Sequence, residues 1–85
     1  MNEKIKDLIP HQLRLLRLDK KLSQEDLAQK IGVNTSTLNK YENNNSSMQI
    51  DMFLKILNTL DTDIFIFFKT LYAKTQEKQK KETNI

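Results

Sequence analysis

Thr35, Ser36, Asn39 and Lys40 are the side chains whose types and spacing could do chemistry together, and that chemistry is recognition by hydrogen bonding. At helical spacing they share one face. Hydroxyls pair with donors or acceptors, an asparagine amide matches the edge of adenine, and a lysine reaches guanine or a phosphate. Such a set suits the base edges in a groove of duplex DNA; the plain alternative is a merely solvated helix face. Gln24 adds a second kind of contact. It stands at the start of the preceding helix, where unpaired backbone N–H groups and a side-chain amide can hold a phosphate.

Catalysis finds no comparable set. His11 is the only histidine, cysteine is absent, and a single glycine leaves no glycine-rich phosphate loop. The carboxylates are scattered over capping and surface positions. Neither an enzyme, a metal site nor a cofactor is expected.

The recognition residues need a scaffold, and the run from Ser23 to Glu42 reads as two short helices meeting at a tight turn. Ser23 caps the first, with Asp26 three residues on completing a capping box and Leu22 with Leu27 forming a hydrophobic staple. Leu27, Ala28 and Ile31 make a compact apolar face, and Gly32, the only glycine, supplies the left-handed turn residue. Asn34 caps the second helix, Leu38 and Tyr41 face inward, and Asn43–Ser47 ends it. A helix held out this way enters the major groove of DNA.

Around this unit, a first helix is expected from Pro10 to about Lys20, with Leu13, Leu16 and Leu15 on its apolar face and residues 1–9 loose. A fourth runs from Ile50 to Leu60 on a stripe of Ile50, Phe53, Leu54, Leu57 and Leu60. Asp61–Thr62–Asp63 is turn-like, and Ile64, Phe65, Ile66, Phe67 and Phe68 form a continuous β-prone run. Such a run reads as a buried strand, and with no other strand in the chain its partner must come from a second molecule. The rival reading is a fifth helix from Ile64 to about Lys78 with its apolar face on a dimer interface. Residues 71–85 read as a basic tail, disordered or a frayed helix from Lys74 onward.

The fold class is therefore mainly α: four to five helices containing a helix-turn-helix, with a short C-terminal strand pairing across a homodimer. Its expected parts are a flexible N-terminus (1–9), a DNA-binding domain (10–61), a dimerisation strand (62–70) and the tail. Eighty-five residues, 38% of them apolar, suffice for one small domain, and a core of that size is helped by oligomerisation. The net charge of +3 is compatible with nucleic acid, and its distribution says more: positive charge gathers at the two ends of the chain. Without cysteine, signal segment or membrane span, the expected compartment is the cytoplasm.

The stretch Leu22–Ser23–Gln24–Glu25–Asp26–Leu27–Ala28, with Ile31–Gly32–Val33, Leu38 and Tyr41–Glu42–Asn43, resembles the Cro/repressor (XRE) helix-turn-helix family across residues 11–61. Phe53–Leu60 followed by a β-prone run is most similar to the HipB-type antitoxin repressors. The resemblance implies operator binding by a homodimer on an inverted repeat, and a kinase-like toxin docked on that dimer. It implies phosphate contacts from Gln24, from Asn34 beyond its capping role, and from Asn43 and Asn44, although a turn that simply needs asparagine explains the last two equally well. Arg14 is free to reach a phosphate. The family often pairs arginine and glutamate at the positions of Arg17 and Glu42, which implies a structural ion pair. Gln49 departs from the Ser or Thr common at the start of helix four, so Ser46 or Ser47 is expected to cap instead.

The leading function is a sequence-specific repressor of its own operon in a Hip-type toxin–antitoxin pair. The alternatives are a protein-binding module that neutralises or bridges partners, and a stand-alone phage-type repressor.

Overall fold

The computed structural model describes the backbone of residues 2–83 and the side chains of residues 6–76. The chain forms five helices in the order α1 (Asn2–Asp19), α2 (Gln24–Ile31), α3 (Thr35–Glu42), α4 (Ile50–Thr59) and α5 (Ile64–Thr83), and no strand is present among the described residues.

The local signals around α2 and α3 act as expected. The Ser23 hydroxyl accepts the Asp26 N–H at 3.0 Å, and the Asp26 carboxylate accepts the Ser23 N–H at 3.2 Å. Gly32 takes φ +79°, and the Val33 N–H returns to the Ala28 carbonyl at 3.0 Å, closing α2 in a left-handed turn. Asn34 caps α3 by accepting the Thr37 N–H at 2.8 Å.

Leu27, Ala28 and Ile31 of α2 meet Leu13 of α1, Leu38 of α3, and Phe53, Ile56, Leu57 and Leu60 in and beside α4. Phe67 and Leu71 of α5 complete this core. Phe53 and Phe67 meet edge to face with ring centroids 5.3 Å apart, so α5 is anchored on α4. On its other flank the Lys74 ammonium donates to the Gln12 side-chain carbonyl of α1 at 2.6 Å.

Several expectations are corrected. The run Ile64–Phe68 is the first turn of α5 and not a strand. Asp63 starts it, its carboxylate accepting the Phe65 N–H at 2.8 Å and the Ile66 N–H at 3.3 Å. Helical geometry then buries Phe67 and Leu71, four residues apart, while Phe65 stays 76% exposed. Of the five residues assigned to dimerisation, Phe67 therefore belongs to the protomer's own core, and Ile64, Phe65, Ile66 and Phe68 are exposed. The helix continues through Thr83, so of the two readings of the tail, disordered or helical, the structure takes the helical one as far as Thr83; residues 84–85 lie outside the described residues.

At the other end, α1 begins at Asn2, in the segment read as loose, and carries Pro10 in its interior. An interior proline costs about 3 kcal/mol. Leu8 and Ile9 offset it by packing against the core, and Pro10 itself is buried. In α4, Ile56 is buried, whereas Ile50 and Leu54 are exposed. Leu15 of α1 is likewise exposed. Gln49 is the residue before α4, and no side chain caps that helix, Ser46 and Ser47 included.

Candidate nucleic-acid interface

The short helix α3 has two unlike faces. Leu38 and Glu42 are buried and Tyr41 is half-buried against the core. Thr35, Ser36, Asn39 and Lys40 are all exposed on the other side. The structure thus brings the four candidate base-reading residues together on one open helical surface that starts at the Asn34 cap. Thr37, not singled out from the sequence, reinforces that cap: its hydroxyl donates to the Asn34 side-chain oxygen at 2.7 Å.

The inner face of α3 is tied down by charge. Arg17 Nε donates to Glu42 Oε2 at 2.7 Å and Arg17 Nη2 to Glu42 Oε1 at 3.1 Å, a two-pronged pair between α1 and α3. Both residues are buried. Arg17 Nη1 also donates to the Leu22 carbonyl at 2.7 Å, which fixes the approach to α2. One guanidinium therefore ties α1 to α3 and to the α1–α2 connection, and its planar fork suits that task.

Gln24 does more than stand at the start of α2. Its Nε2 donates to Glu42 Oε1 at 2.9 Å, and its Oε1 accepts from Asn39 Nδ2 at 3.3 Å. Asn39 Oδ1 in turn accepts from Asn43 Nδ2 at 3.0 Å. Two candidate phosphate contacts and one candidate base contact are thereby linked to the buried ion pair. Asn44 lies at φ +57°, and its Nδ2 donates to Asp7 of α1 at 3.2 Å. Asp7 gave no sequence signal, since its partner is 37 residues away. Arg14 and Asn34 are exposed on the surface.

The Asp26 carboxyl is held below its ordinary value by the Ser23 N–H, then by the Ser23 hydroxyl, with Lys30 assisting and partial desolvation opposing. Among the described residues, no group of three His, Cys, Asp or Glu side chains could hold a metal ion. No helix among them is long and apolar enough to cross a membrane.

A capped helix pair joined at a left-handed glycine, with the second helix polar outside and pinned inside, defines a DNA-binding module of transcription regulators. Residues 13–67 match the family described as Helix-turn-helix, and the chain belongs to that family. No curated protein shows significant sequence similarity to it. Among solved structures, the wild-type restriction-modification controller protein C.Esp1396I is 23% identical, with a TM-score of 0.78 over 86% of this chain and 95% of that one. The same controller bound to a 25 base pair operator site is 24% identical, with a TM-score of 0.75 over 85% and 95%. The clp gene regulator ClgR from Corynebacterium glutamicum is 15% identical, with a TM-score of 0.78 over 93% and 84%. At these identities the likeness is one of fold.

Proposed function

We propose that the protein is a sequence-specific repressor that binds an inverted-repeat operator as a homodimer, with α3 of each protomer in the major groove. One observation carries this reading: four exposed hydrogen-bonding side chains share the outer face of a helix whose inner face is locked to α1 through Arg17 and to α2 through Gln24. A reading surface must be rigid, because disorder at the interface is lost again on binding. The likeness to a controller protein seen on its operator supports the same role.

The dimer is proposed to form through α5. Ile64, Phe65, Ile66 and Phe68 are exposed there together with Tyr72, and an apolar surface of this kind favours a partner over water. Two-fold symmetry then sets the half-sites about one helical turn apart, or a multiple of that. A docked kinase-like toxin depended on likeness to proteins with a C-terminal strand. The helix found there removes that feature, so a regulator acting without a toxin is the better-supported proposal. Its proposed location is the cytoplasm, where an operator would be met.

In vitro selection from a random duplex pool tests the reading. Enrichment of an inverted repeat is expected. Ser36→Ala with Lys40→Ala should then lower affinity for that operator while leaving the thermal unfolding of the protein unchanged. Equal discrimination between operator and random DNA by wild type and variant would refute the assignment of α3.

A further inference from the structure

We propose that Glu42, acting through Gln24, fixes which end of the Asn39 amide points which way, and so makes Asn39 selective for adenine over guanine. This rests on the reading above, in which the outer face of α3 meets base edges.

The argument starts from a carboxylate, which when ionised can only accept hydrogen bonds. Glu42 is buried and paired with Arg17, and its Oε1 lies 2.9 Å from the Gln24 amide. Only the NH2 end of Gln24 can satisfy that contact. Its carbonyl end must therefore face Asn39, and the group that meets it at 3.3 Å must be a donor, Asn39 Nδ2. That leaves Asn39 Oδ1 to accept from Asn43 Nδ2 at 3.0 Å. Each amide takes its orientation from the one before it, and the first takes its orientation from a charge that cannot turn round. Arg17 holds the carboxylate in place with two further bonds.

Asn39 is left with one N–H and one carbonyl lone pair unspent. The major-groove edge of adenine presents an acceptor at N7 and a donor at N6, which match one of each. Guanine presents two acceptors, N7 and O6, and Asn39 could meet both only by giving up its bond to Gln24. Asn39 on an unlinked helix could turn its amide to suit its surroundings at little cost. Linked to Glu42, it cannot turn without reversing Gln24 and setting two acceptors against each other. Glu42 and Gln24 are thus positioning residues, and neither needs to touch a base.

The test compares wild type, Asn39→Ala and Gln24→Met by selection on random duplex DNA, followed by affinities for the selected operator and its single-base variants. Gln24→Met keeps the length of the side chain, removes the amide and leaves the Arg17–Glu42 pair untouched. Asn39→Ala identifies the base pair that Asn39 reads, and adenine is expected there, preferred to guanine by roughly tenfold or more. Gln24→Met should shrink that preference to within a factor of about three at that position while preferences elsewhere persist. A merely structural role would weaken every operator by a common factor and leave the preference intact, and that result overturns the proposal. Guanine at the position, or no position altered by Asn39→Ala, overturns it as well while leaving the repressor reading standing. If wild type selects no operator at all, the repressor reading fails and this inference falls with it.

Discussion

Replacing Arg17 and Glu42 singly and together measures how the reading helix is held. In Glu42→Leu, the Arg17 guanidinium keeps only the Leu22 carbonyl as partner in a site where Arg17 is 5% exposed. In Arg17→Met, the Glu42 carboxylate keeps only the Gln24 amide, and the Leu22 carbonyl loses its donor. Stranding either charge should cost about 3–5 kcal/mol. For a domain of this size that lowers Tm by roughly 12–40 °C and consumes much of a total stability on the order of 4–13 kcal/mol. The double variant strands no charge. Its main loss is the unsatisfied Leu22 carbonyl, about 1–3 kcal/mol, since the half-buried Gln24 amide can turn to water. The double variant should therefore be more stable than either single one, with a coupling energy of at least about 3 kcal/mol. Urea unfolding followed by circular dichroism supplies the cycle, with all four proteins at one concentration and in the same stabilising osmolyte, so that dimer formation and marginal folding do not distort it. Additive losses, or single variants weakened by under about 1 kcal/mol as exposed ion pairs are, would refute the argument that burial makes this pair a lock.

Phe65→Glu with Tyr72→Glu changes two exposed residues of α5, so the fold should survive while sedimentation shows monomers and operator affinity falls sharply. A double variant that remains dimeric would place the interface elsewhere. Phe67→Ala, by contrast, empties a core site and should cost about 3–5 kcal/mol in chemical denaturation. The Asp26 carboxyl sits below its ordinary value when folded, so its contribution to stability is present above the unfolded value and is lost as pH falls through the folded one. Asp26→Asn should accordingly be less stable than wild type at neutral pH, with the gap closing in acid; a pH-independent gap would contradict the capping-box assignment.

Helices α2 and α3 were readable because their ends are local. Ser23 with Asp26, and Asn34 with Thr37, interact across three residues, and Gly32 answers a backbone need within the same turn. The outer face of α3 was readable for the same reason, since helical periodicity assigns faces without knowledge of the neighbours. The start of α1 was not, because Pro10 resembles a first-turn residue until the packing of Leu8 and Ile9 is known.

Ile64–Phe68 shows the limit most clearly. β-branched and aromatic residues in an unbroken run suit a strand by local preference, and only placement against Phe53 makes the helix, with Phe67 and Leu71 inward, the better burial. Asp63, a capping residue just ahead of the run, was the one local sign of that outcome. The relay from Glu42 through Gln24 to Asn39 had no local sign, since its links join residues 18 and 15 positions apart. The sequence by itself determined the capped helix pair and its polar outer face, because those follow from contacts within a turn or two. Only the tertiary structure decided the state of α5 and the orientation of the reading amides, because burial and long-range hydrogen bonds exist only once the helices have met.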